Sequence, residues 1–162
     1  MLRKAKLGDV DAIVALLTGY AKQGLLLPRS RQSVCETLLQ FRVVEEQGEV
    51  LGVAALHILG DDLAEIRSLA IAEPAHGRGY GRQLVEALCE DAAQVDVPRV
   101  LALTYQESFF LRCGFHVVDK SSLQQKIWKD CIHCKKFPVC DEVAMIRLTP
   151  VGLLQLAQPA AV

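Results

Sequence analysis

Hydrophobic residues recur along the chain with two periods, and segments of the two kinds alternate. Alternating or continuous apolar runs are typical of strands, whereas apolar residues that recur every three or four positions are typical of helices. The predicted strands cover residues 2–6, 41–46, 50–59, 63–71, 100–103, 114–118 and 141–148. The predicted helices cover residues 10–23, 30–40, the stretch after Gly81 to about 95, 107–112, and a short apolar segment from 150. This order predicts a single α/β or α+β domain.

Individual residues predict the two ends of the first helix and the buried face of the second. Asp9 or Asp11 is expected to cap the helix at 10–23, and Gly24 is expected to end it. The residues of the second helix that should face the core are Val34, Leu38 and Leu39.

Length and composition bound the class of protein. The chain has 162 residues, 51% hydrophobic and 23% charged, which predicts a globular domain with a sizeable core. We place one domain at 1–150 and a C-terminal tail at 151–162, with no further domain expected before the first strand. The net charge of −1 argues against a nucleic-acid or anionic-membrane partner. No apolar run approaches the ~20 residues of a membrane span.

The N-terminus and the cysteines indicate the compartment. The opening MLRKAK is followed by Gly-Asp-Val-Asp instead of an apolar core, so no signal segment is expected. Without one, the six cysteines are expected to be reduced thiols in a cytoplasmic protein. The sequence leaves monomer and homodimer open.

The most informative stretch runs from 65 to 88, where a predicted strand passes through three glycines into a predicted helix. A glycine turn at a helix start presents unpaired backbone N–H groups and the positive end of the helix dipole, which together favour a phosphate. Arg78 and Arg82 add positive charge beside it. No Lys-Ser or Lys-Thr follows the last glycine, and the glycine spacing differs from the dinucleotide fingerprint, so neither common nucleotide loop is predicted.

The segment His76-Gly77-Arg78-Gly79-Tyr80-Gly81 resembles the acyl-coenzyme-A loop of the GCN5-related N-acetyltransferase (GNAT) family. That family's pattern is Arg or Gln, two residues, Gly, one residue, then Gly or Ala, so His76 departs from it. The resemblance extends to Leu148 and implies a mixed, mostly antiparallel sheet with splayed central strands, flanked by helices. It also implies acetyl-CoA as cosubstrate. The implied cofactor-binding residues are Leu69, Ala70, Ile71, His76, Gly77, Arg78, Gly79, Tyr80, Gly81, Arg82 and Phe110.

Two residues are candidates for acid–base catalysis. Glu65, near the start of the strand that enters the loop, is a candidate general base for the acceptor amine, directly or through a water. The alternative is a solvated charge at the strand end. Many family members have a tyrosine as acid at the position of Phe110, and a phenyl ring cannot donate a proton. The alternative acid is Tyr105 or a bound water. Tyr105 could equally be a residue that serves only in packing.

Several motifs resemble a narrower group, the amino-acid N-acetyltransferases that make N-acetylglutamate in arginine biosynthesis. These motifs are Leu27-Pro28-Arg29-Ser30, Glu65-Ile66-Arg67-Ser68-Leu69-Ala70, Leu103-Thr104, Phe109-Phe110-Leu111-Arg112-Cys113-Gly114-Phe115, Lys126-Ile127-Trp128-Lys129-Asp130-Cys131 and Cys140-Asp141-Glu142-Val143-Ala144-Met145. The resemblance implies transfer of acetyl to the α-amine of L-glutamate, or of L-glutamine. The implied substrate-binding residues are Arg29, Arg31, Arg67, Thr104, Arg112 and Lys126. Arg67 could instead form an ion pair with Glu65, and most of these cations could be ordinary surface charges.

Two other functions stay open on the sequence alone. One is acetylation of another amine such as a protein N-terminus, although the basic residues disfavour a polyamine. The other is a non-catalytic module that binds coenzyme A or zinc. Cys131, Cys134 and Cys140 could hold zinc, but a structural zinc site needs four ligands and a fourth is not evident. We therefore predict reduced thiols and no metal.

Overall fold

The computed structural model describes residues 1–123 and 141–158. Its strands are β1 (Leu2–Lys4), β2 (Phe41–Glu46), β3 (Glu49–Ile58), β4 (Ala64–Ile71), β5 (Arg99–Thr104), β6 (His116–Val117) and β7 (Val143–Leu148). Its helices are α1 (Val10–Lys22), α2 (Arg31–Glu36), α3 (Tyr80–Gln94), α4 (Glu107–Arg112) and α5 (Pro150–Ala157). The predicted order of elements is therefore confirmed in the described residues. Most of the stretch between the predicted strands at 114–118 and 141–148 lies outside them.

The strands form one seven-stranded sheet in the order β1-β2-β3-β4-β5-β7-β6. The pairs β1–β2, β2–β3, β5–β7 and β6–β7 are antiparallel, and β4 pairs with β5 in parallel. The predicted mixed, mostly antiparallel sheet is confirmed. The described residues divide into two compact units, one of Met1–His57 with Ile66–Leu88 and the other of Ile58–Glu65 with Cys89–Val162.

The first unit packs α1 against the inner face of its strands. The apolar stripe of α1 that the sequence predicts is buried through Val10, Ile13 and Leu17. These side chains join a core whose sheet and α2 members are Val34, Phe41, Val43, Val53, Ala55 and Ala70. The predicted β2–β3 turn has φ of 51° at Gln47 and 82° at Gly48, and two positive φ angles in succession fit the tight hairpin turns that match strand twist.

The ends of α1 agree only in part with the sequence. Gly24 ends the helix as predicted, with φ of 73°. Its N–H donates to Ala21 and the N–H of Leu25 donates to Tyr20, which is the paired bonding of a Schellman cap. The predicted cap by Asp9 is wrong, because its carboxylate makes no cap bond to α1 and instead accepts from Arg3 and from the Lys6 N–H.

The second helix is shorter than predicted. Ser30 caps α2 by accepting the Ser33 N–H, but α2 ends at Glu36 and a 3-10 turn over Leu38–Gln40 follows. The change of period rotates Leu39 outward, and its 87% exposure contradicts the predicted inward orientation. Val34 is buried as expected.

The second unit is built on β5 and β7. Their register runs from Arg99 opposite Leu148 to Thr104 opposite Val143, and Ala64 and Glu65 of β4 lie opposite Val100 and Leu101. The core comprises Leu59, Leu63, Leu101, Leu123, Ala144 and Ile146. No helix within 1–123 or 141–158 is long and apolar enough to cross a membrane.

Candidate active site

Glu65 is buried in β4, opposite Leu101 of β5. Its exposure is 3%, which excludes the alternative that it is a solvated charge at a strand end. A carboxylate held in a strand interior has a fixed position, as a group that must receive a proton from a substrate requires.

The β4 backbone is irregular three residues later. Ser68 has φ of 57°, a left-handed conformation that is uncommon for a residue other than glycine and costs of order 1–3 kcal/mol. Such a residue interrupts the regular alternation of a strand. Regular strand alternation would place Glu65, Arg67, Leu69 and Ile71 on one face, and this alternation does not extend past Ser68. Strained residues of this kind cluster at functional sites.

Arg29 reaches Ser68 from the segment that precedes α2. Its guanidinium is half-buried and donates to Ser33 Oγ (3.0 Å), Thr37 Oγ1 (2.8 Å) and, at 3.4 Å, Ser68 Oγ. The Phe41 ring lies under it, with 5.2 Å from Cζ to the ring centroid. Every one of these partners is uncharged.

A second cation lies near this guanidinium. Burial lowers the pKa of Arg29 from its usual value, and the charge of Arg67 lowers that pKa further. Arg29 contacts Ser68, the sequence neighbour of Arg67, so two of the predicted substrate-binding residues lie in the same region. Arg31 is elsewhere, because its Nε donates to Asp11 at 3.0 Å on the exposed surface of α1 and α2.

The end of β4, the predicted cofactor edge, is contacted by Tyr20 of α1. The Tyr20 hydroxyl donates to the Ile71 carbonyl (2.8 Å) and accepts from the Ile71 N–H (3.2 Å). The exposed His76 lies beside it, with Nε2 at 2.8 Å from the same carbonyl and 3.1 Å from the Tyr20 hydroxyl. The histidine that departs from the family pattern therefore bonds to the strand end.

The glycine loop has the backbone that its sequence predicts. Gly77 and Gly79 have φ of 78° and 83°, and α3 begins directly afterwards at Tyr80. Nη2 of Arg78 donates to both carboxylate oxygens of Glu46 (2.8 and 2.9 Å), and the Tyr80 hydroxyl donates to the same carboxylate.

The remaining loop residues differ in exposure. Gly81 is half-buried as the second residue of α3, and Arg82 is exposed on the same turn. Leu69 is half-buried and Ala70 is part of the core of the first unit.

The second unit holds the other predicted residues. Tyr105 is exposed after β5 and its hydroxyl donates to Asp141 Oδ1 at 2.7 Å. Thr104 is buried and its hydroxyl accepts from the Gln106 N–H at 2.7 Å. Phe110 is buried between Phe109 and Phe115, edge to face with both. Arg112 is exposed on α4.

Lys126 and the cysteines at 131, 134 and 140 lie outside the described residues. Within 1–123 and 141–158, no group of three or more His, Cys, Asp or Glu side chains is placed to hold a metal ion. Among the described residues, Cys35, Cys89 and Cys113 are not joined in disulfides.

Four residues of this site are absent from the sequence prediction: Tyr20, Ser33, Thr37 and Glu46. Ser33 and Thr37 carried a readable signal, because they follow Arg29 at intervals of four, the spacing of one helix face. Tyr20 and Glu46 carried none, since their partners are 51 and 32 or more residues away.

The chain is similar to acetyltransferases in sequence and in structure. The model of the acetyltransferase (GNAT) family matches residues 18–115. An uncharacterized N-acetyltransferase of Chlorobaculum tepidum is 39% identical over 146 residues, covering 90% of this chain and 94% of that protein. The amino-acid acetyltransferase of Mycobacterium tuberculosis is 31% identical over 142 residues, covering 86% and 80%.

Two solved structures share the fold. A Mycobacterium tuberculosis protein in complex with CoA and NLQ superposes with a TM-score of 0.81 at 28% identity, covering 91% of this chain and 98% of that one. The N-acetylglutamate synthase of Neisseria gonorrhoeae, in complex with coenzyme A and N-acetyl-glutamate, gives 0.80 at 26% identity, covering 92% of this chain and 35% of that one. With these sequence and structural matches, the chain belongs to the acetyltransferase (GNAT) family.

Proposed function

We propose that this enzyme transfers acetyl from acetyl-CoA to the α-amine of L-glutamate or L-glutamine, the first step of arginine biosynthesis. One observation carries the choice of acceptor: the guanidinium of Arg29 is half-buried among hydroxyl groups, near the charge of Arg67.

The half-buried guanidinium of Arg29 favours an anionic ligand. Removing a charge from water is costly unless an opposite charge compensates for it, and a like charge nearby adds to the cost. Among the described residues, Arg29 has no carboxylate partner. A carboxylate of the acceptor would supply that compensation, and the planar guanidinium fork suits carboxylates.

The names of similar proteins support the same acceptor class. The Mycobacterium tuberculosis relative is called an amino-acid acetyltransferase, and the Neisseria gonorrhoeae structure contains coenzyme A and N-acetyl-glutamate. The binding of coenzyme A by both solved neighbours supports acetyl-CoA as the cosubstrate here.

The cofactor is assigned to the end of β4 and the glycine loop. Backbone groups of residues 69–71 are the proposed partners of the pantetheine arm, close to Tyr20 and His76. Backbone N–H groups between Gly77 and Gly81 are the proposed partners of the pyrophosphate, where helix geometry favours an anion. Arg78 is held by Glu46, so it contributes to this region as a paired charge.

The proposed chemistry needs one base and one acid. Glu65 takes a proton from the acceptor ammonium, directly or through a water, and the neutral amine attacks the thioester carbonyl carbon. The nitrogen of the tetrahedral intermediate then loses its second proton to solvent, the intermediate collapses, the C–S bond breaks, and the coenzyme A thiolate receives a proton. Tyr105 or a water gives that proton. To act as the acid, the Tyr105 hydroxyl gives up its hydrogen bond to Asp141 and donates to the thiolate instead.

Thiol release from acetyl-CoA, measured with each of the twenty amino acids, tests the proposal. We expect glutamate or glutamine to give the highest kcat/KM, with mass spectrometry showing the N-acetyl product. A peptide N-terminus and a polyamine serve as competing acceptors. Faster acetylation of either would contradict the proposed acceptor, and no acetylation of any amine would favour a non-catalytic binding module.

The cytoplasmic location predicted from the sequence belongs to the same proposal. The absence of disulfides at Cys35, Cys89 and Cys113 within the described part of the chain is consistent with a reducing compartment.

A further inference from the structure

We propose that Ser33 and Thr37 are positioning residues that orient Arg29 for the carboxylate of the acceptor without neutralising its charge. This inference rests on the proposed function and names the residues that determine its preference for acceptors with carboxylates.

The two hydroxyls hold one edge of the guanidinium. Ser33 Oγ lies 3.3 Å from Nε and 3.0 Å from Nη2 of Arg29, and Thr37 Oγ1 lies 2.8 Å from Nη2. Ser33 is in α2 and Thr37 is the residue that ends it, so the short helix places both on the side of Arg29. The Phe41 ring under Cζ fixes the plane of the group.

The Thr37 hydroxyl is fixed as an acceptor toward Arg29. Its single proton is donated to the Ser33 carbonyl at 2.7 Å, which leaves only lone pairs to face Nη2. The backbone of α2 thus determines the direction of the Thr37 hydroxyl, and this hydroxyl in turn determines the direction of the guanidinium.

The opposite edge of Arg29 keeps its capacity to bind. Nη1 carries two N–H donors, and its one contact among the described residues is Ser68 Oγ at the long distance of 3.4 Å. A carboxylate forms shorter, charge-assisted bonds with such a donor. Acidic residues in place of Ser33 and Thr37 would satisfy the charge internally, whereas hydroxyls orient it and leave it available.

Replacement of the hydroxyl by a methyl group tests the proposal. In Thr37→Val we expect the KM for the acceptor to rise by about tenfold or more, since hydrogen bonds to charged groups are among the stronger ones. The KM for acetyl-CoA should not change, and neither should kcat, because the group acts on acceptor binding in the ground and transition states alike. Thr37→Ser should restore the acceptor KM. Thr18→Val, an exposed position on α1, is the matched control.

A binding measurement separates this inference from the proposed acceptor. Calorimetry with glutarate, a dicarboxylate without an amine, is run on the full chain saturated with coenzyme A. We expect binding to the wild type, weaker binding to Thr37→Val, and recovery in Thr37→Ser. Ser33→Ala is the second variant if Thr37→Val does not fold.

The outcomes are distinct. Unchanged glutarate binding and acceptor KM in both hydroxyl variants would overturn the positioning role, as would a wild type that binds no glutarate. A wild type that binds glutarate through these hydroxyls but does not acetylate glutamate or glutamine would overturn the proposed acceptor and leave the positioning role standing.

Discussion

Two single residues at this site, Arg29 and Ser68, are unfavourable for the stability of the folded protein. Such unfavourable residues indicate a functional role. Arg29 keeps a charge in a half-buried position with uncharged partners, and Ser68 adopts a backbone conformation that favours glycine. Folding alone would be better served by an acid beside Arg29 and a glycine at 68. The two residues contact each other, so both costs fall at one place.

Glu65 is the residue whose replacement should affect the chemistry most directly. Glu65→Gln keeps the size of the buried side chain and removes its basicity, and we expect kcat to fall by about 10²–10⁴-fold. The KM for acetyl-CoA should be unchanged. Steady-state kinetics measure both, with the exposed Glu90→Gln as control. A kcat equal to that of the wild type at neutral and mildly alkaline pH would exclude Glu65 as the base.

Among the elements, the glycine loop and the start of α3 form the proposed phosphate site. Gly79 has φ of 83° and open space where a Cβ would be, so a glycine is favoured there by the backbone angle and not by packing. Gly48 in the β2–β3 turn has nearly the same φ, 82°, and is equally open. The two glycines therefore differ in location more than in conformation.

That similarity allows a matched pair of variants. Gly79→Val and Gly48→Val should both lower the melting temperature, because a β-branched residue is strained at positive φ. Gly79→Val alone should raise the KM for acetyl-CoA, since it also places a side chain where backbone approaches the pyrophosphate. Fluorescence melting and initial rates give the two readouts. An equal rise in KM in both variants would mean that lost stability, not the phosphate site, is the cause.

The success of the sequence prediction differs between elements for physical reasons. The strands, α1 and α4 follow from apolar periodicity, and the arrangement of the sheet follows from the family resemblance. The glycine loop was predicted because its glycines permit backbone angles that other residues rarely adopt. Leu39 was misplaced because a 3-10 turn changes the period after Glu36. The bonds of Tyr20 to Ile71 were not predictable, since hydrogen bonds between residues far apart in the sequence leave no local pattern.

At the scale of the whole molecule, the proposed roles are divided between the two compact units. Arg29, Arg67 and the glycine loop belong to the first unit, and Glu65 and Tyr105 belong to the second. Strand β4 is shared, because Glu65 is assigned to one unit and Ile66 to the other. Only Ile66 separates Glu65, the proposed base, from Arg67 along the chain.

The stability of the first unit depends on an ion network at its N-terminus. Arg3 donates to both oxygens of Asp9 (2.7 and 2.9 Å) and to Glu45 (2.8 Å), so one guanidinium links β1, the start of α1 and β2. Side-chain hydrogen bonds from Arg3 lower the pKa of Asp9, against the opposing effect of burial, and the Lys6 N–H lowers it further. The ionised form of Asp9 is therefore the one that stabilises the fold.

The pH dependence of stability follows from that direction. A carboxyl whose pKa is lower in the folded state contributes stability above its unfolded pKa, about 3.9 for Asp. That contribution is lost as the pH falls through the lower folded-state value. Asp9→Asn should reduce the free energy of unfolding at neutral pH by roughly 1.5–3 kcal/mol, the contribution of hydrogen bonds to charged groups. The difference from the wild type should shrink as the pH falls below about 4.

Urea denaturation of both proteins at a series of pH values measures this difference, with Asp11→Asn as control. Asp11 is exposed and pairs with Arg31 on the surface, where ion pairs contribute little, so its replacement should change stability only slightly at any pH. A loss in Asp9→Asn that persists undiminished into acid would show that Asp9 acts through its shape and its neutral hydrogen bonds. A loss that disappears with the protonation of Asp9 would show that its charge, held by Arg3, joins the first strand to the first helix.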